Sequence, residues 1–208
     1  YKRIERLNSF FKGKCTIRVH AGEETTLKIS NMRYRILEKE NFRIIYHDGF
    51  EKSSTGIGKP WKGKRLQGKA FSGTYCMAAV PIPERWHRKG VYIQNSTLFG
   101  PLGQAFESYI SFMYFIDKNM PIRLYIHISS TKPDAYLRYT IEHPKVGEWT
   151  RFTLRLDKIP WVQKGARMVQ RGDLIDEFLL RVYTEKELFF AIDDFAISVG
   201  GPIGCESE

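Results

Sequence analysis

Phe189-Phe-Ala-Ile-Asp-Asp-Phe-Ala-Ile197, set against Tyr46-His-Asp-Gly-Phe-Glu51 far upstream, decides how this chain is read. Apart from its acidic pair, the later stretch is aromatic and apolar, a composition that suits a pleated and half-buried surface. It lies in a strand-like run over residues 188–199 that closes the regular structure, and Phe42-Arg-Ile-Ile-Tyr46 opens it. Between them the segments are short and alternate with period two. In Ile122-Arg-Leu-Tyr-Ile-His-Ile128 the four aliphatic residues share one face, and Arg123, Tyr125 and His127 share the other. Gly147-Glu-Trp-Thr-Arg-Phe-Thr-Leu-Arg-Leu156 alternates too, with one irregularity between Trp149 and Phe152 where a bulge is expected and with Trp149 assigned to the core.

Working outward, residues 73–80 read as a strand stopped by Pro81 and Pro83, and residues 90–94, the end of 104–116, 135–141 and 179–183 read as further strands. The Gly-, Ser- and Lys-rich residues 52–68 read as a long loop, and 174–178 as a short helical turn. Convincing long helical periodicity is absent. The spacing of strands and Gly/Pro turns predicts an all-β, antiparallel sandwich. Ahead of it, Lys14-Cys-Thr-Ile-Arg-Val-His20 and Thr25-Thr-Leu-Lys-Ile29 predict a small N-terminal β segment over 1–41, either the tail of an upstream domain or extra strands packed on the main one. The main domain is expected over 42–199 and a C-terminal tail over 200–208.

A chain of 208 residues can bury a sizeable core without disulfides. Its three cysteines, Cys15, Cys76 and Cys205, lack metal-ligand spacing and are expected as buried or tail thiols, with one bridge left open. No run is long enough to span a bilayer, and no targeting segment opens the sequence. The net charge of +10 suits acidic partners: nucleic acid, anionic polysaccharide or a membrane surface. It concentrates in Lys59-Pro-Trp-Lys-Gly-Lys-Arg65 and Glu84-Arg-Trp-His-Arg-Lys89, where Trp is interleaved with basic residues. No nucleic-acid recognition motif accompanies them.

The order Asp-Gly-Phe-Glu, basic loop, Gly-X-Tyr, Gly-Glu-Trp-Thr-X-Phe-X-Leu and Ile-Asp-Asp-Phe-Ala-Ile resembles jelly-roll carbohydrate-binding modules and related concanavalin-like modules, over about residues 42–199. The resemblance implies a jelly-roll β-sandwich whose first and last strands are neighbours, with a structural calcium often held where they meet. The matching positions are Glu51 and Asp194, with Asp48 and Asp193 as nearby alternatives. Hard oxygen donors are what calcium requires, although the same acids can cap strand ends or pair with lysines. The resemblance also implies sugar stacking on aromatic rings beside a few polar groups. Trp61 and Trp86 are the expected platform, with Lys62, Lys64, Arg65, Arg85 and Arg88 supplying charge and Tyr75, Tyr125, His127 and Tyr136 lining an open sheet face. Trp161, after Pro160, is expected to pack a loop.

Catalytic patterns are missing. There is no Glu-X-Asp-X-X-Glu run, no Gly-X-Ser-X-Gly elbow and no His-Glu-X-X-His site. Glu185 and Glu187 fall in a turn, and Asp193 and Asp194 would point to opposite faces of a regular strand. The expected function is a non-catalytic, exported or cell-surface module that contacts polysaccharide, anionic rather than neutral on the charge argument. The rivals are a protein-docking sandwich within a larger assembly and a polysaccharide lyase or glycoside hydrolase.

Overall fold

The computed structural model describes residues 42–55, 59–132 and 135–203. The expected N-terminal segment, Cys15, Cys205 and most of the expected tail lie outside the described residues, as does the side chain of Arg85. The described strands are β1 (Arg43–Asp48), β2 (Trp61–Lys62), β3 (Lys64–Gln67), β4 (Tyr75–Ala78), β5 (Val80–Pro81), β6 (Gly90–Asn95), β7 (Ser108–Ile116), β8 (Ile122–Ile128), β9 (Tyr136–Ile141), β10 (Thr150–Arg155), β11 (Trp161–Val162), β12 (Ile175–Tyr183) and β13 (Phe190–Val199).

They form two antiparallel sheets. The first runs β10-β7-β13-β4-β3, with β1 also against β13; the second runs β11-β9-β8-β12-β6-β2, with β5 against β6. This is a jelly-roll β-sandwich, and the first and last described strands are paired, from Arg43 opposite Val199 to Asp48 opposite Phe195. The chain crosses between sheets at Ala79, whose N–H donates to Phe190 O at 2.8 Å, so that β4 and β5 serve different sheets. Pro81 is tolerated at the end of β5 because that short strand lies outside the main run of the sheet.

Alternation makes the core. Ile122, Leu124, Ile126 and Ile128 of β8 are buried, while the three residues between them are half-exposed. The interior is unusually aromatic: Phe195, fully buried, meets Tyr46, Trp61, Phe99, Phe112 and Phe178 at ring separations from 4.5 to 6.5 Å. These pairs, tilted or edge-on except for the stacked Phe112 and Phe195, add to the burial of large apolar area. Cys76 is a free, buried thiol whose pKa burial, aided by the charge of Asp193, pushes up to about 11, leaving it protonated and inert.

Four expectations need correction. Residues 52–68 are not one loop, because Trp61–Lys62 and Lys64–Gln67 pair with opposite sheets. Residues 174–178 hold no helical turn: β12 already runs from Ile175, and a register shift between Ile175 and Glu177 is what blurs its alternation. β10 has no bulge, pairing continuously from Thr150 opposite Tyr114 to Arg155 opposite Tyr109. Trp149 therefore points away from the interior and packs with Phe71 and Phe115 on the first sheet's outer side.

Phe195→Ala is expected to lower the unfolding free energy by about 3–5 kcal/mol, the usual cost of an aromatic deleted from a packed core. Urea unfolding followed by tryptophan fluorescence measures it, and a loss below about 1 kcal/mol would contradict the central position given to this ring.

Candidate functional site

The outward positions of the second sheet form rows across the strands. One row runs Trp161, Arg138, Tyr125, Leu179, Gln94 and Lys62, one residue from each of six strands in register. The next runs Thr140, Arg123, Arg181, Tyr92 and Val80. A shorter row joins Tyr136, His127 and Glu177. Because side chains alternate along each strand, the residues that break the apolar period gather on this one face.

Over the face, guanidinium groups lie on aromatic rings. Arg181 sits 4.4 Å from the Trp86 ring centre and 5.1 Å from that of Tyr125. Arg123 and Arg88 approach the Tyr183 ring at 4.9 and 5.2 Å, and Arg138 covers Trp161 at 4.2 Å. Trp86 comes from the 3-10 turn Glu84–Trp86 and rests against Tyr92, with ring centres 5.1 Å apart, which buries Tyr92 and Leu179 beneath it. Burial opposes ionisation of the Tyr183 phenol, yet hydrogen bonding from Arg181 and Tyr125 and the charges of Arg181 and Arg88 bring its pKa below the usual tyrosine value. At the Tyr183 hydroxyl these neighbouring groups therefore outweigh the effect of burial. Two buried polar atoms here, Gln94 Oε1 and Arg181 Nε, have no hydrogen-bond partner among the described residues.

The acids on the same face are engaged. Asp176 Oδ1 lies 2.6 Å from His127 Nδ1, His127 Nε2 lies 2.9 Å from Lys132 O, and the Tyr136 hydroxyl donates to Glu177 Oε1 at 3.2 Å. Burial pulls the His127 pKa down, but the Lys132 carbonyl, Asp176 and Glu177 outweigh it and leave the pKa above the ordinary histidine value.

The structure sorts the expected residues. Trp86, Arg88, Tyr125, His127 and Tyr136 come together on this face, with Lys62 at its far edge. Trp61 does not: only 1% exposed, it is wedged between Phe50 and Phe195, and its Nε1 donates to Asp48 Oδ2 at 2.8 Å. A ring so enclosed offers no face for a sugar, which corrects its assignment as a platform. Lys64 lies exposed on β3, the edge strand of the first sheet. Arg65 and Tyr75 stack on each other at that same edge, 3.5 Å from guanidinium to ring centre. Trp161 belongs to β11 and is 37% exposed, so it does not pack a loop. Arg138, Arg181, Tyr183 and Gln94 lie on the face too without being among the expected residues; for Arg181 and Tyr183 the signal is the outward phase of β12, which starts at Ile175.

The four acids proposed for calcium gather where β1 and β4 meet β13. Asp48 accepts from Tyr46 Oη at 3.0 Å, Phe50 N at 2.8 Å, Trp61 Nε1 and Ser53 Oγ. Burial and the Asp48 charge push the Tyr46 phenol up to about 12. Asp193, fully buried, accepts from the N–H groups of Phe71, Ser72 and Asp194 at 2.8, 3.0 and 2.8 Å. Burial raises its carboxyl above the usual range despite those donors, and the Asp194 charge adds to the rise. Ser72 Oγ also donates to Asp194 Oδ1 at 2.9 Å. Both acids thus reach one serine, contrary to the opposite-face expectation, because Asp194 takes a left-handed φ of 46° within a bulge of β13. Glu51 Oε1 accepts from Thr74 N at 2.7 Å and Tyr75 N at 3.0 Å, and those amides hold its pKa down. No group of three or more His, Cys, Asp or Glu side chains arranged to hold a metal ion occurs among the described residues.

No protein-family model matches the sequence, and no curated protein matches it. Among solved structures it is similar to the C-terminal family 22 carbohydrate-binding module of a Clostridium thermocellum xylanase, with a TM-score of 0.46 and 16% identity over 77% of this chain and 95% of that one. A family 22 xylan-binding domain from Paenibacillus barcinonensis matches with a TM-score of 0.44 and 13% identity over 77% and 96%. TmCBM61, solved with β-1,4-galactotriose, matches at 0.42 and 16% over 77% and 89%. These are likenesses of fold, and at such scores none assigns a ligand or a residue role to this chain.

The raised His127 pKa carries a sign. Its hydrogen bonds to the Lys132 carbonyl and to Asp176 contribute stability fully below the unfolded-state value of about 6.5 and lose it as pH rises through the higher folded value. The stability difference between wild type and His127→Gln is therefore expected to be larger at about pH 6 than at about pH 9, measured by urea midpoints. A difference that grows with pH would contradict it.

Proposed function

We propose that this chain is a non-catalytic carbohydrate-binding module that binds an acidic polysaccharide on the outer face of its second sheet. The observation that carries the reading is the set of arginines 88, 123, 138 and 181, each lying on an aromatic ring of that face. A guanidinium fixed in this way keeps its planar donors directed at an incoming carboxylate or sulfate, and little rotamer freedom remains to be lost on binding. The rings beneath are not bare: neutral sugar faces find less open aromatic surface than the acidic groups find donors.

The excess of basic residues across the whole sequence supports the same class of ligand. The reading implies an extracellular or cell-surface setting, where such polymers are met. No helix among the described residues is long and apolar enough to cross a membrane.

Affinity electrophoresis against uronic, sulfated and neutral polysaccharides tests it. Retardation by an acidic polymer is expected, weakened about tenfold by Arg181→Ala or Arg123→Ala, or about 1.4 kcal/mol each. It should be nearly abolished at about 1 M salt, where the screening length falls to about 3 Å. Equal retardation by neutral polymers, or no retardation across the panel, would sink the proposal.

A further inference from the structure

The junction of the first and last strands, where the resemblance to jelly-roll modules implies calcium, does not have the donor chemistry of a calcium site. Such an ion needs about six to eight oxygen ligands with lone pairs free to point at it. Here six of the eight carboxylate oxygens of Asp48, Glu51, Asp193 and Asp194 already accept hydrogens from the protein, Asp194 Oδ1 from Ser72 among them. The Phe50 carbonyl accepts from Arg65 Nε at 2.8 Å, and the Glu51 carbonyl accepts from Arg65 Nη2. Oε1 of Glu51 faces two backbone amides, Asp193 faces three, and Asp48 is ringed by donors from Tyr46, Phe50, Ser53 and Trp61.

We infer that this junction closes without a metal ion, the Arg65 guanidinium taking the cationic place between the β1–β2 connection and β4. Three features hold the arginine there. It belongs to β3, which pairs with β4 through Arg65 opposite Met77. Its guanidinium carbon lies over the Tyr75 ring, 3.5 Å from the ring centre. The chain segment it clasps is shaped to meet it, since Phe50 has a φ of 61°. Gly73, at φ +62°, lets the backbone approach the Glu51 carboxylate so closely that a Cβ there would stand 2.4 Å from Oε1. A planar group with several fixed donors spans two successive carbonyls while stacking on a ring; the single ammonium of lysine cannot do both.

The inference is independent of any ligand on the second sheet and is tested on the whole chain by differential scanning calorimetry. The melting temperature of the wild type is expected to be the same in EDTA and in excess calcium chloride. Arg65→Met is expected to lower it by about 5–10 °C through the loss of charge-assisted hydrogen bonds, and Arg65→Lys to recover only part of that. A resident calcium in excess would instead raise the wild-type melting temperature by about 5–10 °C, reversed by chelator. That result, or one-to-one calcium uptake by EDTA-treated wild type in titration calorimetry, would overturn the inference. The wild-type comparison stands even if Arg65→Met fails to fold.

Discussion

The first sheet depends on one buried carboxylate. At Asp193 the neighbour of β13 changes from β4 to β1, and amides near such a change lose their ladder partners. The Asp193 side chain supplies acceptors for three of them, in a site closed to solvent, where an unpaired donor would be costly. Asp194 then absorbs the extra residue in a left-handed turn of the backbone: β13 advances three residues where β7 advances two. Phe195 is thereby returned to the interior, where it touches rings from both sheets. The aromatic core and the pairing of the first and last strands converge on this short segment.

The two outer faces use aromatic residues differently. On the first sheet Phe71, Phe115, Trp149 and Phe189 pack with one another over Cys76, Ala78 and Ala191, a satellite cluster that shields a weakly apolar surface. On the second sheet the rings are interleaved with arginines from neighbouring strands, so that the same aromatic area carries positive charge outward. The acids there are held by His127 and Tyr136 and do not neutralise the arginines directly. The second sheet thus presents a partly solvated face on which the cations are held in place by the rings.

Much of the fold was legible in the residues. β8 and the core of β13 alternate or run apolar as strands must, and they were placed correctly. Of the residues that come together on the second sheet's outer face, Trp86, Tyr125 and His127 are legible in the sequence, and Arg138, Arg181 and Tyr183 are not. Trp61 and Trp149 depart from expectation for one reason: a tryptophan in polar company and one in apolar company look like surface and core. Trp61 is instead drawn inside by Asp48, which satisfies its indole N–H there, and Trp149 is kept outside by the unbroken phase of β10. The start of β12 is not legible in the sequence because the adjacent acids Asp176 and Glu177 coincide with a register shift.

By itself the sequence determined the strand character of these segments and which side chains share a face, because the period of two is a local property of extended backbone. It also carried the net positive charge and the acidic pair on which the last strand turns. Only the tertiary structure decided which strands lie side by side, and therefore which arginine meets which ring. Trp86 and Arg181, or Arg65 and Phe50, are brought together by sheet register and sheet switching, and these are set by packing between segments far apart in the chain.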